Sequence, residues 1–127
     1  MQGVSRERAY VDISARGIYA IINKITGVWY IGMTTVSFKN RWMHHTEDLL
    51  KGEHHNRALQ RDFNTYGQEA YVFRILETIR DQQIIPVREK YYIAAYSDIY
   101  PLFNVKDNPR WQVGEKDEQK RRALVSS

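Results

Sequence analysis

GIYAIINKITGVWYIG, residues 17–32, begins Gly17-Ile18-Tyr19 and closes on the same residue types reversed, Tyr30-Ile31-Gly32. Its arms are rich in Ile, Val, Tyr and Trp, the branched and aromatic types that strands favour, and Asn23 and Gly27 supply turn chemistry between them. The stretch therefore reads as a β-hairpin with strands over 17–23 and 28–32. A four-residue loop, Lys24 to Gly27, pairs Tyr30 with Ile21 and makes Tyr19 and Tyr30 diagonal neighbours on one face, about 7–8 Å apart. An odd-numbered loop would separate them.

Working outward, Ser37 has the chemistry of a helix N-cap, and Phe38, Trp42 and Leu49 share one helical face until Gly52 ends the run. A second helix starts at Asn56, with Leu59, Phe63 and Tyr66 as its apolar stripe and Gly67 as its stop. AYVFRILETI, residues 70–79, has the content of a third strand. From Ile84 to about Tyr96 the pattern is helical again, with Pro86 tolerated in a first turn, and Pro101 marks the exit. Near the C-terminus Asp117 with Arg121 and Glu118 with Arg122 stand at helical spacing, as in a short exposed helix or an unstructured tail. The order of strands and helices defines an α+β chain.

At 127 residues and 43% hydrophobic content the chain suits one domain with a real core. The 19 Lys+Arg against 15 Asp+Glu, a net +4, incline it toward nucleic acid. The excess lies at the ends, +2 over residues 1–36 and +2 over residues 105–127. The absence of cysteine excludes a disulfide scaffold or a thiolate metal site and fits a reducing compartment. Without a long apolar run or a signal-like start, a soluble, cytoplasmic protein with no membrane partner is expected. There is no internal repeat.

Several residues stand out against this background. In RWMHH, Arg41 and His45 are four apart and are expected to project from one helical face, turned away from Trp42, with a cation beside an imidazole. Glu89 shares a helical stripe with Ile85, Tyr92 and Tyr96, and a carboxylate there must be paired or metal-bound. A salt bridge to Arg88 or Arg41 and a metal site are both open. Asn104 beside Phe103 has an ordinary reading as a turn or cap. The doublets His44-His45 and His54-His55 make a poor zinc site, because neighbours diverge by about 100° on a helix and no cysteine is present. His44 and His55 are expected to be exposed.

GIY and YIG, then RWMHH, EKYYI and FN, in that order, resemble the GIY-YIG endonuclease family over residues 15–106. The connecting text from Arg41 to Ile79 is similar to catalytic domains of its phage intron-encoded homing members. The resemblance implies a small three-stranded antiparallel sheet flanked by helices, with an N-terminal extension over 1–14, the nuclease domain over 15–107 and a basic tail over 108–127. It implies a metal-dependent endonuclease of homing, mobile-element, phage or restriction type, acting on double-stranded DNA. One Mg²⁺ or Mn²⁺ per site would be held by Glu89.

Carried over by residue, the resemblance makes Tyr19 and Tyr30 the motif tyrosines, Arg41 the helix arginine that stabilises phosphate charge, and Asn104 the asparagine that steadies the site. His45 matches a position carrying His or Tyr. Tyr19, a phenol of pKa near 10, would be a general base that needs help in passing its proton onward, and His45 is the candidate helper. His54 matches a histidine of the homing subgroup and is placed with the DNA-binding residues, as are Lys116, Lys120, Arg121 and Arg122 of the tail. Met33 stands where some relatives have a lysine. Specificity is left to loops, to dimerisation on DNA or to a separate partner. The reading from another class is a catalytically silent DNA-binding or regulatory module.

Overall fold

The computed structural model describes residues 11–105, so the tail and its basic residues Lys116, Lys120, Arg121 and Arg122 lie outside the described residues. Strands β1 (Gly17–Asn23) and β2 (Trp29–Thr34) form the hairpin. Helices α1 (Phe38–Lys51) and α2 (Arg57–Tyr66) follow, then strand β3 (Tyr71–Thr78) and helix α3 (Ile85–Ser97). The sheet is antiparallel with order β2-β1-β3. Among the described residues no helix is long and apolar enough to cross a membrane.

Local chemistry accounts for the element ends. Asn23 is fully buried, and its Oδ1 accepts from the Ile25 and Thr26 amides at 2.8 and 3.2 Å, which bends the chain into the turn. Gly27 at φ 76° completes it. The resulting register places Ile21 opposite Tyr30, as the four-residue loop requires. Ser37 Oγ accepts from the Asn40 amide at 3.1 Å to start α1, and Gly52 ends that helix in the left-handed conformation. Asn56 Oδ1 accepts from Leu59 at 3.0 Å and Gly67 follows the last residue of α2.

Every residue of β1 is buried because both faces of the sheet are covered. Ile18, Ala20, Ile22, Trp29 and Ile31 form one face with Ile85 and Leu102, against which Tyr92, Ile93 and Tyr96 of α3 pack. Tyr19, Ile21 and Tyr30 form the other with Phe38 and Leu49 of α1 and Leu59 of α2. The alternation along β1 thus sends its odd-numbered residues toward α1 and α2. His45 departs from expectation here: it does not turn away from Trp42 but lies in the buried stripe with Phe38 and Leu49. Three residues separate it from Trp42, which returns the chain to the same side of a helix.

The mirrored glycines have distinct structural reasons. Gly32 is the cross-strand partner of Tyr19, and a Cβ there would overlap the Tyr19 ring, reaching within 2.9 Å of Cε1. Gly17 has φ 147°, and a Cβ would come 3.0 Å from the Glu77 carbonyl carbon. Next to it, β1 and β3 shift register between Ile18 and Tyr19, since Ile18 faces Glu77 and Tyr19 faces Ile75. Gly32→Ala is expected to destabilise the fold by about 1–3 kcal/mol, the cost of overpacking a closed core. Urea unfolding, read by tryptophan fluorescence, checks it.

Candidate active site

Tyr19 has 0% of its surface exposed, so its hydroxyl must be satisfied inside the protein. It meets His45 Nε2. His45, itself 1% exposed, places Nδ1 at 2.6 Å from His54 Nε2, and His54 Nδ1 accepts from the Asn56 backbone amide at 3.0 Å. A continuous chain of hydrogen bonds therefore runs from the start of α2 through two imidazoles to the motif tyrosine. Its rings stack, His45 on His54 with centroids 4.9 Å apart and His54 on His55 at 4.5 Å.

Tyr30 lies on the same face and has its own histidine, with its hydroxyl 3.1 Å from His55 Nε2. It is 7% exposed where Tyr19 is sealed, so the two phenols share a face but differ in access. Burial pushes both above the ordinary phenol range, Tyr30 to about 12, and the charge of Arg41 works against the rise in each. Burial also drives His45 down to about 2 and His54 to about 4, with Arg41 adding to both shifts. Both imidazoles are therefore neutral at pH 7.

Arg41, half-buried on α1, acts electrostatically on Tyr19, Tyr30, His45, His54, His55 and Glu89. Glu89, half-buried on α3, is raised above the usual carboxylate range by desolvation and held back by Arg41. Among the described residues the salt bridge open to it from the sequence does not form: Arg88 pairs instead with Glu77 at 2.9 Å. Glu89 raises both tyrosines in turn, which places its charge within reach of them.

Asn104 does its work through the main chain of β2. Its Nδ2 donates to the Ile31 carbonyl at 2.6 Å and its Oδ1 accepts from the Ile31 amide at 2.7 Å. Both ends of the amide are thereby committed to the residue between Tyr30 and Gly32, and the Asn104 side chain acts as a clamp on that segment.

The structure thus brings Tyr19, Tyr30, Arg41, His45 and Glu89 into one electrostatic neighbourhood, with Asn104 supporting it from behind. His54 requires a correction: with 1% of its surface exposed and both ring nitrogens bonded within the protein, it is an interior support and not a DNA-facing side chain. His55 is exposed as expected, yet its contact with Tyr30 makes it part of the site. Asn56 and Gln60 carry no motif signal. Gln60 is buried, accepts from the His54 amide at 3.0 Å and donates to the Leu49 carbonyl at 3.0 Å, holding the loop that carries the histidines.

A guanidinium beside two phenols and an unpaired carboxylate suits attack on a phosphate ester, and the class such a site defines on this sheet is a nuclease. Residues 15–102 match the family model described as the GIY-YIG catalytic domain. Among solved structures, the catalytic domain of the homing endonuclease I-TevI is 34% identical with a TM-score of 0.61, covering 73% of this chain and 92% of that one. A glutamate-to-alanine mutant of the same catalytic domain is 35% identical with a TM-score of 0.62, covering 68% and 90%. No curated protein matches the chain. The chain belongs to the GIY-YIG family and is an endonuclease.

The neutral histidines make stability depend on pH. A histidine whose folded pKa lies below 6.5 lets the unfolded chain bind more protons in acid, so its contribution is present above about pH 6.5 and is lost as pH falls. The groups facing the pair are Arg41, His44, His55 and Asp48, of which only Asp48 favours protonation. The Tm is expected to fall steadily from pH 7 to pH 4. In His45→Gln and His54→Gln the slope over that window should flatten, as thermal melts in a pH series will read.

Proposed function

We propose that this endonuclease hydrolyses phosphodiester bonds of double-stranded DNA with one divalent cation held by Glu89, leaving 5′-phosphate and 3′-hydroxyl ends. The observation that carries this reading is Glu89 itself: a half-buried carboxylate with no ion pair among the described residues, desolvated and under the influence of Arg41. Such a group is costly unless a cation completes it.

The donor set fits Mg²⁺ or Mn²⁺. Among the described residues no group of three or more His, Asp or Glu side chains is arranged to hold a metal ion, which disfavours a closed protein cage. Mg²⁺ keeps most of its waters and takes one or two carboxylates, so a single Glu89 is an adequate anchor. When bound, the ion supplies Lewis-acid stabilisation at the departing 3′ oxygen.

The protein's own groups have the remaining tasks. Arg41 neutralises charge on the phosphoryl oxygens, which a guanidinium does with paired N–H donors. Tyr19, once ionised and reached by substrate, would take a proton from the attacking water, at the cost of a phenol that burial makes reluctant to ionise. Tyr30, held by His55, orients water or phosphate from the more open position. Asn104 keeps the Tyr30 segment of β2 in place through Ile31. A module that only bound DNA would require the basic surface and not this set of residues.

Glu89→Gln keeps the side chain's shape and removes its charge. Cleavage of a plasmid in Mg²⁺ should fall by roughly a thousandfold or more, the scale of several kcal/mol of lost charge stabilisation. DNA binding, followed by gel shift, should persist or tighten, and the rise in Tm that Mg²⁺ gives the parent should disappear. Cutting by the parent that resists a chelator would overturn the metal assignment.

A further inference from the structure

The histidine chain has a direction, and one backbone amide sets it. The Asn56 N–H can only donate, so His54 Nδ1, which lies 3.0 Å from it, must be the unprotonated nitrogen. A neutral His54 then carries its proton on Nε2 and donates it across 2.6 Å to His45 Nδ1. His45 Nδ1 is thereby an acceptor, and a neutral His45 carries its proton on Nε2, which faces the Tyr19 hydroxyl. We propose that His54, locked by the Asn56 amide, is a positioning residue that makes His45 a hydrogen-bond donor to Tyr19.

This rests on Tyr19 serving the nuclease reaction and changes how it serves. With its oxygen facing the His45 N–H and Arg41, the Tyr19 hydroxyl proton is turned away from the histidines, so Tyr19 becomes a base only by giving that proton to a phosphate oxygen or water that reaches it when substrate binds, before or as it takes one from the attacking water. A phenolate at Tyr19 would be held by the same Nε2–H, which favours the charged form. The route expected from sequence, in which His45 removes the phenol proton and passes it on, is closed. Its far end is a backbone N–H that has no lone pair to receive a proton.

The test has an arm that requires no activity. Long-range ¹H–¹⁵N correlation spectra of the labelled parent protein at pH 7 distinguish pyrrole-type from pyridine-type ring nitrogens. His45 and His54 should both be protonated at Nε2 and bare at Nδ1; a proton on His45 Nδ1 would overturn the proposal. An inactive parent with that tautomer pattern would sink the nuclease reading and leave the polarity standing.

Kinetics supply the second arm. His54→Leu removes the donor to His45 and should lower kcat by about 10–100-fold with KM for DNA unchanged, the usual cost of losing a group that orients another. His54→Gln presents an amide N–H where the imidazole Nε2–H stood and should recover most of that loss. His54→Glu offers His45 Nδ1 only an acceptor, reverses the chain, and should cut no better than the leucine variant. Equal rates for the glutamine and leucine variants, or a glutamate variant as fast as the parent, would refute the polarity's role.

Discussion

A hydroxyl with no exposed surface has to be paired within the protein, and much of the architecture around Tyr19 follows from that constraint. The ring can lie flat against the hairpin only because Gly32 opposite it has no side chain. His45 reaches the hydroxyl only because α1 turns its buried stripe toward this face. A buried His45 has a second nitrogen to satisfy, which calls for His54, and His54 in turn is completed by the backbone amide of Asn56, the N-cap of α2. The cap that starts a helix and the environment of the motif tyrosine are thus one connected structure.

The edge of the sheet carries the other half of the site. β2 has β1 on one side only, and its free side is covered by the segment after α3. The Trp29 amide donates to the Pro101 carbonyl at 2.9 Å, the Phe103 amide donates to the Trp29 carbonyl at 2.7 Å, and Asn104 closes both main-chain groups of Ile31. An unpaired edge of this kind would otherwise invite another strand. Here its pairing also holds Tyr30 and Gly32 in register. Asn56 ties the same segment to the helical side, since its Nδ2 donates to the Phe103 carbonyl at 3.1 Å.

Electrostatically the centre is lopsided in a useful way. Arg41 is a fixed cation whose field depresses His45, His54 and His55 and opposes the rise of both tyrosines. Glu89 is the counterweight, and the two are near enough for Arg41 to lower it without the pair closing into a salt bridge. Arg41 is engaged with the Tyr19 hydroxyl, and among the described residues Glu89 forms no salt bridge, so its carboxylate is not used up in a structural ion pair.

The hairpin, the caps at Ser37 and Asn56 and the anomaly of Glu89 were legible in the sequence, because turn chemistry, capping and period-two alternation act between near neighbours, while the loop length was left open there and the structure settles it with Tyr30 opposite Ile21. The motif order carried the family as well. The sequence misled on His45, whose spacing from Arg41 suggested an outward face while its spacing from Phe38 and Leu49 put it in the core. Only the tertiary structure decided that Glu77 takes Arg88, that His54 is interior, that His55 reaches Tyr30 and that the Asn56 amide ends the histidine chain. These are contacts between elements far apart along the chain or between ring atoms whose orientation no residue letter encodes. Packing alone selects them, because burial obliges each polar atom to accept whatever partner the closed fold brings within reach.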